Sequence, residues 1–129
     1  MIKGLISVLY MFLSTSVFAA PPKQSTIEAK ATITKDKKLN LVVKAIPNTG
    51  TVINKEGHWT VDIKESPVAF ANKSLKPADF DAKIPGFSLT STEAVSKPGT
   101  IKYTFVVFVC TADKAKCYRD EYRDQTVSF

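Results

Sequence analysis

The sequence predicts an all-β protein, an antiparallel β-sandwich of about seven to eight short strands. Two observations support this prediction. Apolar and polar residues alternate with a period of two over most of the chain, which is typical of strands that bury one face. Groups of proline, glycine and asparagine separate these runs at intervals of roughly 8 to 12 residues, and no long helical pattern lies between them.

The first half of the chain contains three alternating runs. They cover residues 27–33, residues 39–45 and residues 59–63, and each has apolar side chains at every second position. Turn-forming residues follow the second run at residues 47–50 and precede the third at residues 55–57. Each run is therefore predicted to be a strand with one face on a core.

The segment of residues 72–87 contains two prolines and a glycine, so a long regular element is not expected there. We predict that this segment crosses from one sheet to the other, with one helical turn at residues 77–80. Residues 68–70, just before it, are a short candidate strand. Strand character returns at residues 88–95.

The run of residues 101–109 has the strongest strand character in the chain. Its odd-numbered positions are apolar, and Val106 and Phe108 make the opposite face apolar as well. A strand that is apolar on both faces is buried on both sides, so we predict that it is central in its sheet. Together the runs indicate an immunoglobulin-like sandwich, with a small barrel as the alternative.

Residues 1–19 have the features of a secretory signal peptide. Lys3 precedes an apolar stretch at residues 5–13, and Ala19 completes a small-x-small cleavage pattern. The apolar stretch is shorter than the roughly 20 residues of a membrane-spanning helix, which is why a retained anchor is only the alternative. Residues 20–129 are expected to form a single immunoglobulin-like domain, periplasmic or secreted, without an inserted membrane segment.

Composition excludes several classes of function. The formal net charge of +6 comes from lysines spread along the chain, which is typical of a solvated surface. A nucleic-acid site needs a basic patch interleaved with exposed aromatic residues, so no nucleic-acid partner is expected. His58 is the only histidine and has no cysteine or carboxylate cluster beside it, so we expect no metal site and no cofactor. The mature chain is expected to be a monomer.

Cys110 and Cys117 are the only cysteines, and they flank a six-residue loop at the end of the predicted central strand. A hairpin of this length can bring their α-carbons to the separation of about 4.4 to 6.8 Å that a disulfide requires. An oxidising compartment favours the bond. The closed ring is small, and the chain-entropy relation gives a stabilisation of about 2.5 kcal/mol.

Two interpretations of this pair stay open, a structural clamp and a redox-active site near the surface. Immunoglobulin domains that use a disulfide for stability join their facing sheets across a long sequence gap, whereas this pair is local. Lys114, Lys116 and Arg119 favour a thiolate, the reactive form of cysteine. Asp113 and Asp120 oppose it. Composition and spacing alone favour the clamp.

Residues 105–121, FVVFVCTADKAKCYRDE, resemble the cysteine hairpin of the amino-terminal periplasmic domain of the thiol:disulfide interchange protein DsbD family. In that family an apolar strand leads into a cysteine, a short loop that often contains Ala-Asp, and then Cys-Tyr. The resemblance implies an immunoglobulin-like fold and periplasmic thiol–disulfide exchange, with Cys110 and Cys117 as the redox residues. It also implies partners, which are periplasmic thiol or disulfide proteins or an electron-donating membrane reductase.

The chain departs from the family pattern at the hairpin. Its loop is one residue longer than is usual in the family, and Arg119 and Asp120 stand where the family usually has prolines. The family also shields its pair with a loop that bears an aromatic residue, for which Phe70, Phe80 and Phe87 are candidates. The alternative function is a non-catalytic periplasmic binding or accessory module, in which the disulfide only clamps the hairpin.

Overall fold

A computed structural model describes residues 22–129, so the predicted signal peptide lies outside the described residues. This part of the chain forms eight β-strands and one turn of 3-10 helix. The strands are β1 (Ser25–Ile33), β2 (Lys38–Pro47), β3 (Thr51–Ile53), β4 (Thr60–Glu65), β5 (Ser74–Leu75), β6 (Gly86–Ala94), β7 (Thr100–Thr111) and β8 (Cys117–Ser128). Within residues 22–129, no helix has the length and apolar character that crossing a membrane requires.

The strands form two antiparallel sheets. The first sheet has the order β1-β2-β6. In the second sheet, β7 pairs with β8 along one edge. Along its other edge, β7 pairs with β4 over its first half and with β3 over its second half, and β5 adds to β4. This arrangement is the immunoglobulin-like sandwich that the sequence predicts, with β7 central in its sheet.

The hydrophobic core lies between the two sheets and follows the alternation of the sequence. The odd-numbered side chains of β2 and of β7 point into it, because successive residues of a strand face opposite sides of the sheet. On β7, Val106 is only 5% exposed on the opposite face, which confirms that the strand is covered on both sides. The largest fully buried side chains are Trp59, Phe87, Phe105, Leu39, Leu41, Ile101, Val43, Val61, Val107 and Val109.

The prediction of a short strand at residues 68–70 is wrong. Only an isolated bridge between Phe70 and Ser91 forms there. The hydroxyl of Ser66 donates a hydrogen bond to the Val68 carbonyl and accepts one from the Val68 N–H. This local turn provides partners for the Val68 backbone groups that a strand would otherwise use in a ladder.

The prediction for residues 72–87 is confirmed. The chain passes from β5 in the second sheet to β6 in the first, and the predicted helical turn is the 3-10 turn Pro77–Asp79. Two strands were not predicted, β3 and β5, because runs of three and two residues are too short to show alternation.

Candidate functional site

Cys110 and Cys117 form a disulfide that joins β7 to β8. They are directly opposite each other in the register, and their α-carbons are 3.9 Å apart, closer than the range expected from the sequence. The Thr111 N–H donates a hydrogen bond to the Lys116 carbonyl at 2.8 Å, which makes Thr111 and Lys116 a hydrogen-bonded pair. Because hydrogen-bonded and non-hydrogen-bonded pairs alternate along an antiparallel ladder, the adjacent cysteine pair is not hydrogen-bonded. Opposite α-carbons approach closest at non-hydrogen-bonded pairs, which explains the short separation.

The disulfide lies on the outer face of the second sheet. Cys110 has the same parity on β7 as Val106 and Phe108, opposite to that of the odd-numbered residues in the core. The core cluster accordingly contains Val109 and Val107 but neither cysteine. The bond therefore connects two neighbouring strands of one sheet and does not join the two sheets.

The two cysteines differ in exposure. Cys110 is 4% exposed and lies between Cys117 on one side and Val52 of β3 on the other. Cys117 is exposed, because β8 has no second strand partner in the described part of the chain. Thiol–disulfide exchange depends on access to the sulfur that is attacked. A thiolate arriving from solvent therefore reaches Cys117 more readily than Cys110.

The loop between the cysteines has hydrogen bonds of its own. The carboxylate of Asp113 accepts one from the Thr111 hydroxyl and one, at 3.0 Å, from the Ala115 N–H. These two hydrogen bonds lower the pKa of Asp113, the one from Thr111 most. Lys114 has a left-handed backbone with φ of 60° and projects beside the disulfide. The Asp113 carboxylate thus links the first and later residues of the loop.

The outer face of β8 next to Cys117 has a row of charged side chains. The Glu121 carboxylate accepts hydrogen bonds from Arg123 at 2.8 Å and from Arg119 at 3.2 Å. These bonds lower the pKa of Glu121, the one from Arg123 most. Because one carboxylate is shared by two guanidinium groups, this row has a net positive charge.

Among residues 22–129, the disulfide borders at least two clefts. The cysteine cleft, of about 410 Å³, is lined by both cysteines, residues 52–56 and Lys114. The edge cleft, of about 490 Å³, is lined by residues 117–121 and Arg123 of β8 and by residues 22–23 at the start of the described chain. The exposed Cys117 belongs to both, so a partner can approach it from either side.

The aromatic residues considered for shielding the pair do not do so. The ring of Phe80 stacks on Trp59 with centroids 4.4 Å apart, and Phe87 packs against Phe80 and Phe105 in the core. Phe70 is also a core residue. None of the three candidates lines either cleft. The crossing segment therefore packs on the sandwich, away from the disulfide.

Residues 52–56 form the wall of the cysteine cleft instead, and the sequence pattern did not indicate this role. The Asn54 N–H donates to the Phe108 carbonyl at 3.0 Å, which extends the pairing of β3 with β7. The Asn54 carbonyl accepts a hydrogen bond at 2.6 Å from the indole N–H of Trp59. Trp59 is fully buried, so the core holds this wall in place.

Asp120 is buried on the core side of β8 and anchors the start of β1. Its carboxylate accepts hydrogen bonds from the Ser25 hydroxyl at 2.5 Å and the Gln24 N–H at 2.9 Å. The Tyr122 hydroxyl donates to the Ser25 carbonyl at 2.7 Å. Burial raises the pKa of Tyr122. The Asp120 side chain thus lies on the face of β8 opposite to the one that bears Cys117.

Replacing Asp120 with alanine is expected to lower the free energy of unfolding by about 2 to 3 kcal/mol. The substitution removes a charged acceptor and leaves the Ser25 hydroxyl without that partner in a buried site. Urea denaturation followed by circular dichroism measures the effect. The matched control is Glu93→Ala, which removes an exposed carboxylate and is expected to cost less than about 0.5 kcal/mol. Equal losses in the two variants would contradict the anchoring role.

The geometry allows thiol–disulfide chemistry at a surface site. In residues 22–129, no group of three or more histidine, cysteine, aspartate or glutamate side chains is arranged to hold a metal ion. The disulfide itself is consistent with an oxidising compartment.

Comparison of the chain with protein-family models, with curated proteins and with solved structures gave no significant match.

Proposed function

We propose that this protein takes part in periplasmic thiol–disulfide exchange through Cys110 and Cys117. The observation that supports the proposal most is the asymmetry of the pair, with an exposed Cys117 bonded to a buried Cys110 at a surface cleft. A disulfide that closes a small ring within one sheet adds less stability than one that joins distant segments. The resemblance of residues 105–121 to the DsbD amino-terminal hairpin supports the same role.

In the proposed reaction, a thiolate of a partner dithiol attacks the Sγ of Cys117. A mixed disulfide forms, the bond between Cys117 and Cys110 breaks, and Cys110 leaves as a thiolate that takes a proton from solvent. The ammonium group of Lys114, which lines the same cleft, favours the leaving thiolate. The second partner thiolate then attacks the partner's sulfur in the mixed disulfide and releases Cys117, which is protonated in turn.

The net result is a transfer of two electrons and two protons from the partner to the cysteine pair. The partner becomes a disulfide and this protein becomes a dithiol, and the reverse sequence reduces a disulfide partner. The proposed partners are periplasmic thiol or disulfide proteins and, as a source of electrons, a membrane reductase. The reaction needs no other cofactor because both redox groups are sulfur atoms.

The reduction potential of the pair is expected to lie between about −120 and −270 mV, the range of known exchange proteins. We expect this value because the exposed sulfur of Cys117 is accessible and Lys114 stabilises the reduced thiolate form. The measurement is equilibration of the purified protein in glutathione and dithiothreitol buffers, followed by alkylation and mass spectrometry.

The control for this titration is the variant with both cysteines replaced by serine, which must show no change across the buffers. A potential below about −300 mV with slow reduction would contradict the proposal. That result would instead support the alternative function, a binding or accessory module with a structural hairpin disulfide.

A further inference from the structure

The outer edge of β8 presents backbone hydrogen-bonding groups that have no strand partner in the described part of the chain. Thr111 and Lys116 form a hydrogen-bonded pair, so the alternation along the ladder makes the pairs of Tyr118 and Asp120 with β7 hydrogen-bonded as well. The pairs of Cys117 and Arg119 are not. The N–H and C=O groups of Cys117 and Arg119 therefore point away from β7.

The edge cleft follows this edge. Successive side chains of a strand point to opposite faces, so a cleft on one face is lined by every second residue. The edge cleft is lined by five consecutive residues, 117–121, and so it runs along the side of the strand. Residues 22–23 form the other wall of the cleft. The next two residues, Gln24 and Ser25, donate hydrogen bonds to the Asp120 carboxylate.

We propose that the edge cleft binds an extended segment of the thiol partner by antiparallel strand addition to β8, with the partner's cysteine opposite Cys117. This inference rests on the proposed function and specifies how the partner is recognised. Strand addition at a free sheet edge is a known mode of peptide binding, in which main-chain hydrogen bonds give affinity. Here it also aligns the two sulfur-bearing residues.

The geometry of an added strand suits the mixed disulfide. Cys117 and the partner's cysteine would form a hydrogen-bonded pair, whose α-carbons lie about 5.5 Å apart in antiparallel sheets. This separation is within the range of about 4.4 to 6.8 Å for disulfides. Residues directly opposite each other point to the same face, so both sulfur atoms would lie on the outer face of the sheet. The Cβ atoms of two opposite residues lie about 4.5–5.5 Å apart. Only a small local shift is needed to bring the Cβ atoms of the two cysteines to the separation that a disulfide requires.

Charge in the cleft favours an acidic segment. Three cations, Lys23, Arg119 and Arg123, line it, and of its two carboxylates, Asp120 is occupied by hydrogen bonds to Ser25 and Gln24. The other carboxylate is shared by the two arginines. In an antiparallel strand, the residue two positions before the partner's cysteine lies opposite Arg119 on the same face. An aspartate or glutamate is expected at that position.

Peptides with blocked termini and a free cysteine thiol test the proposal on the unmodified protein. The probe is Thr-Glu-Val-Cys-Val-Thr, and two derivatives are N-methylated, one at the cysteine and one at the following valine. Only the cysteine N–H would point to β8, so methylation there removes one hydrogen bond to the edge. It is expected to slow opening of the disulfide to the mixed disulfide with Cys117 about fivefold relative to methylation at valine. Rates with 2-hydroxyethyl disulfide correct for intrinsic thiol reactivity.

A matched pair of protein variants gives a second measurement. Arg119→Pro removes the N–H that faces the cleft, which an edge strand tolerates because that group pairs with no strand among residues 22–129. Arg119→Gln removes the charge and keeps the N–H. The proline variant is expected to react with the peptide at least about fivefold more slowly than the glutamine variant. Dithiothreitol, which needs no strand, is expected to reduce both at the same rate.

Equal rates for the two methylated peptides would overturn strand addition, and this comparison decides alone if Arg119→Pro does not fold by circular dichroism. If the two methylated peptides react at equal rates and dithiothreitol still reduces the disulfide readily, the proposed exchange function stands and only the mode of recognition fails. If neither dithiothreitol nor any peptide reduces the disulfide, both proposals are overturned.

Discussion

Cys110→Ser is expected to accumulate mixed disulfides by attack of its remaining thiolate on disulfide bonds of partner proteins, on the order of tenfold more than Cys117→Ser, because access to the sulfur controls exchange. The first variant keeps the exposed Cys117 and lacks the thiol that would resolve the adduct. The second keeps only Cys110, which is 4% exposed and pairs with Val52 of the neighbouring strand β3. The measurement is expression of the full chain in the periplasm of a bacterial host, alkylation, and non-reducing electrophoresis with mass spectrometry of the adducts.

The control for trapping is the variant without either cysteine, which must form no adduct. Equal trapping by the two single variants would contradict the assignment of Cys117 as the residue that forms the mixed disulfide with a partner. Absence of adducts from Cys110→Ser would count against exchange and favour a disulfide that only clamps the hairpin.

Trp59→Ala is expected to lower the free energy of unfolding by about 3 to 5 kcal/mol, the cost typical of removing a large buried aromatic side chain. The indole is fully buried, stacks on Phe80 and lies 6.0 Å from the ring of Phe105 between centroids. It also donates the hydrogen bond to the Asn54 carbonyl. Chemical denaturation followed by circular dichroism measures the loss, since the variant has no tryptophan fluorescence.

Trp59→Phe separates packing from hydrogen bonding in the same position. It keeps an aromatic ring in the core and removes the indole N–H, so its cost is expected to be smaller than that of Trp59→Ala. If the alanine variant were no less stable than the phenylalanine variant, the packing of Trp59 would not be the main contribution.

The strands that could be predicted are those whose evidence is local in the sequence. The central position of β7 follows from Val106 and Phe108, which are apolar on the face that would otherwise be polar. The strands β3 and β5 form because β7 and β4 provide edges for them to pair with, and no periodicity within their few residues shows this. Residues 68–70 had strand-like composition, but Ser66 formed a local turn.

The cysteine pair could be predicted from its spacing, whereas its asymmetry could not. Both cysteines flank the same loop, and only the pairing of Val52 with Cys110 makes one of them buried. Asp120 stands among charged residues that suggest an exposed strand face. Its burial depends on Ser25, which is 95 residues away in the chain. Contacts of this kind are determined by the packing of the two sheets.

The alternation of β7 has a consequence for how this protein can change through mutation. The core contacts of Phe105 and Val107 are on one side of the strand, and Val106 and Cys110, which do not belong to the core cluster, are on the other. A substitution at an odd position alters folding stability without contacting the disulfide. A substitution at Val52, which lies opposite Cys110 and lines the cysteine cleft, alters the surroundings of the bond without changing a residue of the core cluster. Selection can therefore adjust thermal tolerance through the odd-numbered residues of β7 and sulfur chemistry through Val52 of β3 almost independently.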